Sequence, residues 1–256
     1  MNRQSLLRHA VAALCALLLS AASGRAAEIK VFTSVALTSA LNELAPTFEK
    51  KTGDKVSITY GLAAELKKRI LQGERADVII LTRAMMEDLA KQNKVAADSL
   101  ANVVGTPVAV AARAGAPKPD IGSVEAFKLT LLQAGSIAYA DPAKGGLSGV
   151  VAAKVMERLG IAEEMKSKTI LVPGAQAPDL VAMGEAELGI AQASEIVPVA
   201  GVQLAGPLPG ELASMTLFTG GIGADSQVAA AAKTLIEFLR GAEAAPGFKA
   251  RGFEPG

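Results

Sequence analysis

The stretch Ala140–Gly149, ADPAKGGLSG, gathers groups that can handle a negative charge. Gly145 and Gly146 allow a ligand to approach the backbone closely. Ser148 falls at an expected N-cap or first helical turn, where N–H groups lack partners. Lys144 adds a mobile positive charge. No Gly-Lys-Ser/Thr follows the glycines, so the loop is not a nucleotide-binding P-loop. Further candidates follow other apolar runs. Thr33 and Ser34 can cap a helix or bind an anion at its positive end. Gly61, Ala63 and Ala64 offer backbone N–H groups but no side-chain donor, as any strand-to-helix turn would. Arg83 follows DVIIL; it either grips a carboxylate through two parallel hydrogen bonds or pairs with Glu87 one turn on. Gln176 and Gln192 bring amides that suit a ligand or a helix cap equally. For the carboxylates Asp141, Asp179 and Glu195, capping is the default role.

The elements that must position these residues alternate in type. Glu28–Thr33, Lys55–Tyr60 and Asp77–Leu81 read as strands; Leu37–Lys51, Ala63–Gln72 and Met85–Gln92 as helices. Pro46 should kink or split the first helix. Val103–Ala112 is long and apolar, and RAGAPKP breaks it. A second series follows. Its strands are Ser136–Ala140, Thr169–Val172 and Leu188–Gln192, and its helices Val124–Gln133, Ser148–Leu159 and Ala177–Met183. Val199–Glu211 reads as a loop-rich return, Leu212–Thr219 as a strand and Ser226–Leu239 as a helix. Alternating β and α units imply mostly parallel sheets flanked by helices. Ligands of such sheets bind beyond the carboxyl ends of the strands, where every candidate above falls.

Composition removes several kinds of chemistry. Residues 1–26 read as a secretory signal, with Arg3 and Arg8 before the apolar run Val11–Leu19 and small residues at Gly24 and Ala26. The only histidine, His9, and the only cysteine, Cys15, lie inside it. The exported chain then lacks disulfides, thiol chemistry, serine–histidine triads and zinc sites of the N/S type. Without the signal's three arginines the chain carries 23 basic and 25 acidic residues, which argues against nucleic acid as a partner. With no Trp, and Tyr60 and Tyr139 the only tyrosines, little aromatic surface remains to stack on a sugar. No later run is apolar enough to span a membrane.

The runs VFTSVALTSALNELAPTFEKKTG, ADVIILT, DPAKGGLSG and ELGIAQASEI, with the tail FLRGAEAAPGFKARGFEP, resemble the periplasmic molybdate-binding-like proteins. These are solute-binding components of ABC importers with the type II periplasmic binding protein fold. The resemblance spans nearly the whole exported chain. It implies an α/β protein of two lobes, each a mostly parallel sheet flanked by helices, joined by a two-strand hinge. The expected lobes are residues 27–107 with 214–256, and residues 108–213. The family's molybdate binders hold the oxyanion with serines after the first strand and in the second strand-helix turn. The matching positions here look like Ala36 and Ala63 or Ala64, and Gln192 stands where a tyrosine is usual. Each missing donor is costly to a buried dianion.

The expectation is therefore a monomeric periplasmic protein that captures a small anion, an organic carboxylate rather than molybdate, for an ABC permease, with no cofactor and no metal. Arg83 is expected to face Lys144 and Ser148 across the cleft. A second expectation comes from an enzymatic branch of the family, aconitate isomerase. Its cis/trans interconversion moves a proton and needs only an acid/base, for which Asp, Glu, Lys or Tyr would serve. A transcription regulator's sensing domain shares the fold, but the signal and the absence of DNA-binding helices argue against it.

Overall fold

The computed structural model describes residues 26–256. The expected signal, with His9 and Cys15, lies outside the described residues except for Ala26. The chain starts as β1 (Glu28–Ser34), α1 (Thr38–Thr52), β2 (Lys55–Gly61), α2 (Ala63–Leu71), β3 (Val78–Thr82) and α3 (Arg83–Lys91). β1 pairs in parallel with β2 and with β3. Side chains alternate across these strands, so β3 sends Val78 and Ile80 to one core and Ile79 and Leu81 to the other. Leu41, Leu44 and Phe48 of α1 cover the first face; Leu66 of α2 and Met86 and Leu89 of α3 cover the second.

The second series comprises β4 (Ala101–Arg113), α4 (Val124–Gln133), β5 (Ile137–Ala140), α5 (Leu147–Arg158), α6 (Ala162–Met165), β6 (Thr169–Val172), α7 (Ala177–Met183), β7 (Leu188–Gln192), α8 (Ala193–Ile196) and β8 (Val202–Pro207). β5 pairs in parallel with β6 and β7. The chain returns through β9 (Met215–Ile222), α9 (Ala229–Arg240), α10 (Ala245–Lys249) and β10 (Glu254–Pro255). Strand order is β2-β1-β3-β9-β4-β7-β5-β6, with β8 and β10 also on β4.

One strand joins the halves. Ala101–Pro107 of β4 pair with β9, whereas Val108–Ala112 pair with β7. Partner exchange therefore falls between Pro107 and Val108, and the chain crosses back between β8 and β9. The inner strands of each half are parallel and the crossing strands antiparallel. Two further cores lie on the two faces of the second half. Phe127, Leu131, Met156 and Ile190 belong to one, Ala138, Val172 and Val181 to the other.

Three expectations change. α1 runs through Pro46 without splitting. Pro46 and Asn42 are both exposed, so the carbonyl freed four residues back can meet water instead of staying buried and unpaired. The stretch Val199–Glu211 contains β8, whose Gly and Pro hide an edge strand that β4 templates. The strand expected at 212–219 starts at Met215 and continues through Gly220 and Gly221. A Cβ at Gly221 would meet Val95 at 2.6 Å and Met86 at 2.9 Å, so packing on α3 requires the residue that propensity disfavours. Among the described residues no helix is long and apolar enough to cross a membrane.

Candidate functional site

The strand ends of both halves meet at one cleft. Its first wall is Ser34 and Val35 after β1, with Leu62 and Ala63 at the start of α2. The facing wall is Ala140 and Gly145–Ser148 between β5 and α5, Gly174 after β6, and Gln192 and Glu195 after β7. The walls lie close together and leave about 10 Å³, room for one water. Larger hollows lie elsewhere, two of them of about 460 and 640 Å³. One is formed by α9, α10 and the C-terminal residues, the other by the Arg113–Asp120 loop and the amino end of β7. Neither stands at the carboxyl ends of the parallel strands.

Helix starts supply the donors. The Ser34 Oγ accepts from the Ala36 N–H at 3.4 Å, an N-cap for the short 3₁₀ turn Val35–Leu37. The N-caps of α2 and α5 are Leu62 and Gly146, and neither has a side chain that caps the helix. The first-turn N–H groups of a nine-residue and a twelve-residue helix thus stay without side-chain caps on opposite walls, with the positive dipole ends converging. The facing side chains are mostly apolar.

The loop Ala140–Gly149 owes its shape to its glycines, Gly146 among them, where a Cβ would lie 2.5 Å from the Ala140 Cβ. Gly145 has φ +80°, and a Cβ on it would lie 2.8 Å from the Ala64 Cβ across the cleft. A Cβ on Gly149 would stand 1.6 Å from the Ala140 carbonyl oxygen, so α5 packs on the end of β5 only with glycine there. Asp141 turns the loop by accepting from the Ala143 N–H at 2.9 Å. Leu147 reaches out of its own half and packs against both cores of the first.

Gln192 is buried and donates through Nε2 to the Thr216 Oγ at 3.2 Å, which ties the end of β7 to β9. The Glu195 carboxylate accepts from the Gln192 N–H at 3.1 Å. Desolvation between the walls pushes the Glu195 carboxyl up to about 7, and the Gln192 N–H opposes this only in part. Glu195 is the only ionisable residue lining the cleft among the described residues. The described residues also contain no cluster of three metal-ligating side chains.

Comparison with known proteins places this geometry. Residues 29–254 match the family model described as bacterial extracellular solute-binding protein. The chain belongs to the bacterial extracellular solute-binding proteins. Within that family it is 33% identical to an aconitate isomerase of a Pseudomonas species over 253 residues, covering 95% of both chains. It is 32% identical to the molybdate-binding protein ModA of Azotobacter vinelandii, over 92% of this chain and 93% of that one. The solved periplasmic molybdate-binding protein of Azotobacter vinelandii superposes with a TM-score of 0.72 at 22% identity, over 88% of this chain and 98% of that one. The substrate-binding domain of a molybdenum ABC transporter protein from Clostridium difficile gives the same TM-score at 19% identity, over 90% and 100%. The fold is that of the type II periplasmic binding proteins.

Of the residues singled out from sequence, Ser34, Ala63, Gly146, Ser148 and Gln192 line the cleft of this solute-binding protein. Ala64 borders it through Gly145. Thr33, Ala36 and Gly61 support the turns behind the wall; Thr33 and Ala36 are buried. Gln176 is exposed at the start of α7, and Lys144 is exposed outside the lining. Arg83 corrects the largest expectation. It does not face Ser148 but donates to Glu87 at 2.8 Å and to Asn102 at 3.0 Å, because the first residue of α3 shares a face with the residue four later. Leu62, Leu147 and Gly174 also line the cleft; they fall in strand-end stretches legible in the sequence, but apolar and glycine positions carry no chemical signal that would single them out. Glu195 caps, as its position favours, and also faces the cleft.

Proposed function

We propose that the cleft captures a small organic carboxylate, rather than molybdate, in the periplasm and presents it to an ABC permease. The carrying observation is the pairing of helix N-termini without side-chain caps on both walls with apolar side chains between them. Backbone N–H groups suit a carboxylate's oxygens, and Val35, Leu62 and Leu147 suit a carbon skeleton. Ala36, Ala63 and Ala64 lack the hydroxyls that a tetrahedral dianion needs. The proposed lobes are residues 27–107 with 214–256, and residues 108–213. They part and close about β4 and the return from β8 to β9, the protein acting as a monomer.

Calorimetric titration of the purified protein with trans-aconitate, small dicarboxylates and molybdate tests this. Tighter binding of a carboxylate than of molybdate is the expected result. Tighter binding of molybdate overturns the ligand class, and no binding by any of them overturns anion capture.

Glu195 favours a second reading, cis/trans isomerisation of aconitate in the same cleft. Tyr60 donates to the Asn42 Oδ1 outside the lining, Tyr139 is in the core and Lys144 is exposed. That leaves Glu195, titrating near 7, as the acid/base within reach of a bound molecule. Proton NMR of trans-aconitate incubated with the protein decides between capture and turnover.

A further inference from the structure

We infer that Glu195 makes anion capture proton-linked: it stands in the cleft as a neutral acid that donates a hydrogen bond to the bound anion, so capture by the ionised site takes up a proton. This rests on the reading that the cleft binds an anion, and holds whether or not the anion is then transformed.

The geometry leaves Glu195 without a positive partner. Among the described residues no cation lines the cleft; Ser34, Leu62, Ala63, Leu147 and Ser148 face it with hydroxyl, apolar or backbone groups. α8 packs on β4, β7, β8 and the Val35–Leu37 turn. Those elements hold one ionisable residue, Arg113, at the end of β4 away from the Val108–Gln192 pair. Arg251, beside the Gly252 that touches Ala193, is turned to the Ser39 carbonyl at 2.7 Å and to Glu43. In the loop Ala140–Gly149, Asp141 is held by the Ala143 N–H and Lys144 is exposed. An anion entering between these walls therefore meets one carboxyl and no counter-charge.

Two negative groups in a desolvated space repel, and a proton between them turns repulsion into a charge-assisted hydrogen bond. One Glu195 oxygen accepts from the Gln192 N–H, so the carboxyl is oriented without using all its hydrogen-bonding capacity. Its titration near 7 in the closed cleft agrees with this role, because a second negative charge beside it raises the value further.

The sign follows. Below the pH at which free Glu195 ionises, the site is already protonated and affinity is flat. Above it, each captured anion draws in a proton, and affinity falls about tenfold per pH unit. The test is calorimetric titration of the full exported chain with trans-aconitate and with molybdate from pH 6 to 9. Buffers of different ionisation enthalpy count the protons directly, without any variant. We expect uptake approaching one proton per anion at pH 8 and the tenfold slope. Glu195→Gln, which keeps a donor, should bind as tightly as wild type does at pH 6 and lose the slope. Binding with no proton uptake at pH 8 overturns the inference and leaves anion capture standing. No binding at pH 6 of either anion or of the small dicarboxylates overturns both.

Discussion

The two walls of the cleft differ in kind. The wall after β1 and β2 offers Ser34, Val35, Leu62 and Ala63: one hydroxyl, already engaged as a cap, and otherwise backbone and apolar surface. The wall after β5, β6 and β7 brings Ser148, Gln192 and Glu195, with Gly145 letting it approach Ala64 of the facing wall. Donors from the helix start are common to both, but chemistry is confined to the second. The difference teaches that half of the site can be a shaped surface with little sequence signature, while the other half carries the groups that discriminate.

The strongest way to break this contrast is to disturb the second wall's frame. Gly149→Ala places a Cβ against the Ala140 carbonyl and should destabilise the fold by more than ~3 kcal/mol, seen in chemical denaturation. Substituting the first wall should be far milder. Next is the pH dependence of Glu195. Its raised value means the folded state holds the proton more tightly than the unfolded one. Stability present below pH about 4.5 is therefore lost as pH rises toward about 7. Relative to Glu195→Gln, the unliganded protein should lose at most about 3 kcal/mol across that window. An unchanged difference between the two would show that the carboxyl is solvated and not enclosed by the walls.

Leu147→Ala probes the contact between walls. Removing a half-buried side chain that packs on two cores should cost about 1–2 kcal/mol and weaken ligand affinity by about tenfold. Loss of stability with unchanged affinity would make Leu147 a core residue only. Ala63→Ser sharpens the contrast by giving the first wall a hydroxyl; molybdate affinity should rise by up to about tenfold while carboxylate affinity changes less. Arg83→Ala is expected to do least. Its exposed pair with Glu87 is worth under about 1 kcal/mol, and ligand affinity should not move.

Much of the frame was legible in the sequence. The periods of Glu28–Thr33, Lys55–Tyr60 and Asp77–Leu81 gave strands, and the residues after them gave the cleft's edge, because a parallel sheet leaves helix starts together at one end. The Gly-Pro end of VQLAGP hid β8, since an edge strand is made by its neighbour's hydrogen bonds rather than by its own propensity. Arg83 and Glu195 show the same limit for the site. Both follow a central strand, and their types alone favoured Arg83 as the anion's partner.

Sequence by itself determined the alternation of elements, the family, the lack of hydroxyls at Ala36, Ala63 and Ala64, and the confinement of histidine and cysteine to positions 9 and 15. These depend on local periodicity and residue type. Tertiary structure decided which charged residue faces the cleft. Arg83 finds Glu87 one turn away and stays at the surface, while the one cation in the elements packed against Glu195's helix, Arg113, sits at the far end of β4. Local pairing is written in the spacing of residues; the absence of a partner is visible only when every neighbour is in place.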